Sequence, residues 1–246
     1  MSLSDKSNNL IRWNRLGYAV IVAVVILFLV LYFIPQLTSN PQPTLTAENE
    51  SLHSSYADKQ VGDRFEFGRY PQGPNGEIQP ITWRVLQRDT NALLVISEKG
   101  LEAKHYTKKY AARTWEECTL RTWLNNRFFV CAFNGQEQSL IKMSRLSNNA
   151  DSTTKDYVFL LSIKEAKSLF ADDADRMCKP TEYARKRGAF YNTTGEKCIG
   201  NTHWWLRSSG DTYYAACVYS TGIIDGNGDN VYNNDIAVRP ALRLVL

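Results

Sequence analysis

The spacing of apolar positions divides the chain into segments with different periods. Leu16 to Ile34, "LGYAVIVAVVILFLVLYFI", runs 19 residues without a charge and is apolar on every face. That is about the length needed to cross a hydrocarbon core of roughly 30 Å. Pro35 to Gln60 is rich in Pro, Ser, Thr and Asn with no apolar period, which predicts a partly extended stalk. From Val61 the period falls to two. "RFEFGRY", "ITWRVLQ" and "ALLVISEK" predict strands, divided by the turn-forming stretches "PQGPNGEIQP" and "RDTN".

Helical spacing follows in "TWEECTLRTWLNNRFF", where Thr114 and Glu117 form a capping-box pattern and Trp115, Leu120, Trp123, Leu124 and Phe128 make an apolar stripe. Shorter helices are predicted in "GQEQSLIKMS", in "SIKEAKSLF" with a second capping box at Ser162 and Glu165, and in "TEYARKRG", stopped by Gly188. Strands and tight loops return from Trp204. They end in "AVRPALRLVL", a closing core strand with Pro240 near its start or at an edge. Strands at both ends with helices between them predict an α+β domain over residues 61–246.

Charge gives the apolar segment a direction. Lys6, Arg12 and Arg15 precede it, and Glu48 and Glu50 are the first charges after it. The positive-inside rule then predicts a single-pass signal anchor in the cell membrane, with residues 1–15 cytoplasmic, residues 16–34 in the lipid bilayer and the head extracellular. Trp13, Tyr18 and Tyr32 fall near its two ends, where amphipathic rings favour the interface. A cleaved signal peptide is the alternative, but the apolar core is long and no small-x-small site closely follows it. Formal net charge is +4 with Lys and Arg scattered, so no basic stripe offers a nucleic-acid partner. Five cysteines, Cys118, Cys131, Cys178, Cys198 and Cys217, include no CxxC pair. Zinc and thioredoxin-type sites are disfavoured, whereas one or two disulfides and isolated thiols both remain open.

Catalytic patterns are missing. The three histidines, His53, His105 and His203, belong to no HExxH, and no GxSxG, GxGxxG or Walker motif occurs. The sequence therefore names no catalytic residue, metal ligand or cofactor. In "DGNGDN", Asp225, Asn227 and Asp229 alternate as in an EF-hand loop, but Asn230 stands at the glycine position and Ile236 at the bidentate glutamate. Hairpin-turn chemistry accounts for that stretch better than calcium.

One segment changes alphabet. Lys, Glu, Gln, Met and Trp make up 42 of the 246 residues, yet none occurs in the 31 residues from Ser208 to Val238. About five would be expected there by chance. An Asn codon AAC whose adenines become any base encodes Asn, Asp, Ser, Thr, Gly, Ala, Tyr, His, Cys, Ile, Val, Phe, Leu, Pro or Arg. It never encodes those five, nor a stop. The stretch thus resembles the variable region of proteins diversified by retroelements through adenine-directed mutagenesis. "VGDRFEFGRYPQ", "ITWRVLQ", "TWEECTLRTWLNNRFF", "YVFLLSIKEAKSLF", "HWWLRSSG" and "VRPALRLVL" resemble a bacterial domain family often found as its target. That resemblance implies a C-type-lectin-like fold of the formylglycine-generating-enzyme type, and a surface-displayed receptor or adhesin rather than an enzyme.

The implied ligand is a macromolecule or a cell surface. The small or apolar residues Ala215, Ala216, Val218, Gly222, Ile224, Gly228, Val231 and Val238 are expected to form a pinned frame. Asp211, Thr212, Tyr213, Tyr214, Tyr219, Ser220, Asp225, Asn227, Asp229, Asn230, Tyr232, Asn233, Asn234 and Asp235 are expected to face outward and bind. Tyr supplies contact area at low entropic cost, with adaptable hydrogen bonds from Ser, Asn and Asp. The alternatives are a formylglycine-generating-type enzyme and a structural envelope module without its own ligand.

Overall fold

The computed structural model describes residues 47–108, 114–148, 152–210 and 213–246, which belong to a single unit spanning Ala47–Leu246. The chain enters through α1 (Ala47–Ser54) and then lays down β1 (Arg64–Pro71), β2 (Ile78–Asp89), β3 (Ala92–Ser97) and β4 (Glu102–Ala103). A helical section follows: α2 (Thr119–Trp123), a π-helical turn at Leu124–Phe128, α3 (Phe129–Ala132) and α4 (Gly135–Leu140). Next come β5 (Ser144–Ser147), β6 (Thr153–Asp156), β7 (Val158–Phe159), α5 (Ile163–Ser168), α6 (Asp173–Arg176) and α7 (Glu182–Lys186). The C-terminal part holds β8 (Trp204–Ser209), β9 (Tyr214–Val218), β10 (Ile224–Asn230), β11 (Ala237–Val238) and β12 (Ala241–Val245).

Two five-stranded sheets carry the core, in the orders β1-β2-β3-β12-β7 and β10-β9-β8-β11-β4, with β5 and β6 as a separate hairpin. All six residues of β3, "ALLVIS", are buried, as a run without polar alternation requires when both faces are covered. β12 lies between β3 and β7, pairing Ala241 with both Ile96 and Phe159. Pro240 immediately precedes it, so no ladder bond is lost to the missing N–H.

Three features differ from expectation. The expected fold class, a lectin-like head on a transmembrane helix, is corrected to a mixed α+β arrangement of short helices and sheets. No helix among the described residues is long and apolar enough to cross a membrane. The longest α-helix among them, α1, has 8 residues, about 12 Å at 1.5 Å per residue. The predicted span, residues 16–34, lies outside the described residues. The end of the expected stalk is folded: α1 leads to Tyr56, which is fully buried and donates its hydroxyl to the Val245 carbonyl at 3.0 Å. The pattern of Thr114 and Glu117 closes a turn instead of capping a helix, because the Thr114 hydroxyl donates to the Glu117 carboxylate at 3.3 Å. α2 begins later, with Cys118 Sγ accepting from the Arg121 N–H. Ser162 and Glu165, by contrast, form a reciprocal capping box on α5.

Candidate functional site

The stretch with the restricted alphabet builds the outer part of the second sheet. β8 is fixed first. Trp204 and Trp205 are fully buried, and their indole N–H groups donate to the carbonyls of Arg176 (3.2 Å) and Lys104 (2.9 Å). β9 pairs on β8 through Trp204–Val218 and Trp205–Cys217, and β10 pairs on β9 through Ile224–Val218 and Asn230–Tyr214. Between Asp225 and Asp229 the register slips by two residues, a bulge that bends the edge strand.

Close backbone packing makes that bulge depend on glycine. Gly228 has φ +84°, and a Cβ there would lie 2.1 Å from the Ala215 carbonyl oxygen. Gly222 also has φ +84°, with a Cβ position 1.6 Å from the Asp173 carbonyl oxygen. Ala215, Ala216, Val218, Val231 and Val238 are fully buried, while Ile224 is half-buried against the core. These residues form the rigid part.

The polar residues divide into three groups. Tyr214, at 41% exposure, and Asn227, Asn234 and Asp235 are exposed. Tyr213, Asp225, Asp229, Asn230 and Asn233 are half-buried at the surface. Ser220 is 3% exposed and points inward, where its hydroxyl accepts from Asn192 Nδ2 at 2.9 Å and its N–H donates to His203 Nδ1 at 3.0 Å. Tyr219 and Tyr232 are also partly withdrawn, each packing its ring on the core. Asp211 and Thr212 lie outside the described residues. Ile223, exposed at the β9–β10 turn, is an apolar face residue that the outward set omitted. Strand alternation was the available signal, since its neighbour Ile224 turns inward.

Electrostatics stiffen this face. The Tyr219 hydroxyl donates to Asp225 Oδ2 at 2.5 Å; that bond holds the Asp225 carboxyl below its ordinary range and pushes the Tyr219 phenol far upward. Asp225 Oδ1 accepts from the Asn227 N–H at 3.0 Å, and Asp229 Oδ1 accepts from the Asn230 N–H and from Asn233 Nδ2. The alternating Asp225, Asn227 and Asp229 therefore serve their own turn. No group of three or more His, Cys, Asp or Glu suited to a metal ion occurs among the described residues. His203 stacks on Phe190 with ring centres 4.1 Å apart, and burial lowers its pKa, favouring the neutral ring that can accept from Ser220.

All five cysteines are free thiols. Burial pushes the Cys217 thiol far up, away from the thiolate a cysteine catalyst needs. What the face does offer is exposed aromatic and amide groups on a backbone held from beneath. A family model described as a domain of unknown function, DUF6273, matches residues 90–246. Nothing matches among curated proteins or among solved structures.

Proposed function

We propose, for a chain that belongs to the DUF6273 domain family, that it is a ligand-binding protein whose recognition surface is the β9–β10 face. Adenine-directed retroelement mutagenesis rewrites that surface. The observation that carries this reading is the division within residues 208–238. Positions that the fold cannot alter are fully buried or hold a glycine against backbone, and exposed positions carry only residue types reachable from scrambled Asn codons. A bland edge strand such as β10 usually carries Lys or another charge against edge-to-edge pairing, and this segment has no Lys or Glu at all.

Recognition would rest on Tyr213, Tyr214, Ile223, Asn227, Asn230, Asn233, Asn234 and Asp235, with the Tyr219–Asp225 bond bracing the bulge. Ser220 leaves the binding set and joins the frame. The ligand is a macromolecule, because the recognition residues sit on strands and turns spread along the sheet edge and not in an enclosed pocket.

Genomic sequence tests the reading. Beside the gene we expect a reverse transcriptase gene and a near-copy of the segment encoding Ser208 to Val238, differing only where that copy has adenine. Adenines should occupy the codons for Tyr214, Asn227, Asn234 and Asp235 and be missing from the first two positions of those for Ala215, Ala216, Val218, Gly222, Gly228 and Val231. A copy whose adenines fall equally on buried and exposed positions, or no copy, would overturn it.

A further inference from the structure

A groove of about 970 Å³, open to solvent, lies between β5, the first turns of α5, and β8. Its walls present Arg145, Lys164, Lys167, Arg207 and Arg243, and a single carboxylate, Glu165. That carboxylate is already committed. It accepts from Arg207 through both oxygens and from the Ser162 N–H and hydroxyl at 2.8 and 3.0 Å. Arg243 reaches Asp89, which is not part of the lining, at 3.5 Å. Among the described residues, Arg145, Lys164 and Lys167 make no ion pair.

Arg207 supplies a second, independent observation. It is 5% exposed, and Nη1 and Nη2 are used by Glu165 and by the carbonyls of Leu160 and Ser147. Its Nε is buried with no hydrogen-bond partner. A guanidinium N–H removed from water and left unmatched is costly, so Arg207 keeps its charge at the groove wall with one hydrogen bond fewer than it could make. Like charges gathered around one cavity also repel one another unless counter-charge enters.

We propose that this groove binds a multiply charged oxyanion, a small ligand presenting two or more phosphate or carboxylate groups. The Arg145 fork, which makes no ion pair, can match such a group in a bidentate manner, Arg207 and Arg243 add positive potential from the walls, and the two Lys add point charges at the rim. The volume is that of a small-molecule site. An extended nucleic-acid strand would need a longer basic track. None of the five cations lies within residues 208–238, so the groove keeps its charge whatever residues the neighbouring face carries. This inference does not depend on the diversification reading.

Isothermal titration of the full chain at low ionic strength with inorganic tripolyphosphate, and separately with citrate, tests it. We expect one-to-one binding that weakens as salt is added. Lys164→Glu together with Lys167→Glu should weaken it by about tenfold or more, the consequence of losing two charge-assisted contacts. Both lysines are exposed, so the melting temperature of the double variant should match that of the parent. Binding of tripolyphosphate alone assigns the phosphate class, and binding of citrate alone the carboxylate class. Failure of both probes to bind at millimolar concentration would overturn the proposal. So would equal affinity in the double variant, or tighter binding of duplex DNA than of either probe.

Discussion

The division between frame and face predicts opposite responses to two small substitutions a few residues apart. Gly228→Ala adds one methyl group where φ is +84° and where that carbon would sit 2.1 Å from the Ala215 carbonyl oxygen and 2.8 Å from the Ala216 nitrogen. Holding an L-residue in the left-handed region costs about 1–2 kcal/mol, and overpacking against atoms that cannot move aside adds about 1–3 kcal/mol. The neighbours are backbone of β9, fixed on both sides by β8 and β10, so they give little. A loss of about 3 kcal/mol lowers the melting temperature of a domain this size by about 6–12 °C. Tyr214→Ala removes a far larger group, but one that is 41% exposed. Surface changes of that kind stay within about 0.5 kcal/mol, or roughly 2 °C. Differential scanning calorimetry of the two variants beside the parent measures both. If Gly228→Ala melts within 2 °C of the parent, or if Tyr214→Ala falls as far as Gly228→Ala, the claim that backbone and not side chain holds this face is refuted.

Other outcomes follow from the same structure. The folded state lowers the His203 pKa by burial, so its contribution to stability is complete above the unfolded value of about 6.5 and is lost as pH falls through the lower folded value; denaturant titrations between neutral and mildly acidic pH should show that slope in the parent and not in His203→Phe. Burial alone would raise the Glu165 pKa, but the hydrogen bond and charge of Arg207 and the bonds from Ser162 outweigh it and hold the carboxyl below its ordinary range. Its stabilisation is present above about pH 4.3 and disappears as pH falls through the depressed value, so acid unfolding of Glu165→Gln should show a shallower pH dependence. Tyr219→Phe removes the donor to Asp225; NMR titration should show that carboxyl moving up toward ordinary values, with a loss of about 1 kcal/mol in stability. A small thiol reagent should modify exposed Cys131 first in the native protein, and buried Cys118, Cys178 and Cys217 only in denaturant, since burial pushes the Cys118 thiol up to about 12.

Much of the sheet arrangement was legible where local and tertiary demands agree. Alternation marked β1 and β2, an unbroken apolar run between turn residues marked β3, and Ser162 with Glu165 marked the start of α5, because those signals act over a few residues. Thr114 with Glu117 carries the same pattern and forms no cap. Trp115 is drawn into the core, where its indole donates to buried Asp156 at 2.9 Å, and the chain reaches helical geometry only afterwards. The boundaries of the restricted-alphabet stretch were visible in composition, and its tightly packed glycines in the regular spacing of small residues. Ser220 turns inward because its partners, Asn192 and His203, lie outside the segment, and Tyr219 and Tyr232 rest partly on the core. No local pattern announces such contacts. The cationic groove was equally hidden, since Arg145, Lys164, Arg207 and Arg243 are scattered singly through the sequence and only the fold gathers them.

The position of β12 places a demand on any process that alters the gene just upstream. This strand is interior to its sheet, hydrogen-bonded on one side to β3 and on the other to β7, and its codons follow those for residues 208–238. If that segment is rewritten as proposed, a slip of reading frame inside it would turn "ALRLV" into unrelated residues and leave two strands facing an unfilled slot. Such products would fail to complete the first sheet and would be cleared as misfolded chains. Substituted products in the correct frame would pass. Under the proposed diversification the architecture would thus proofread the repertoire, admitting changes of letter and rejecting changes of phase.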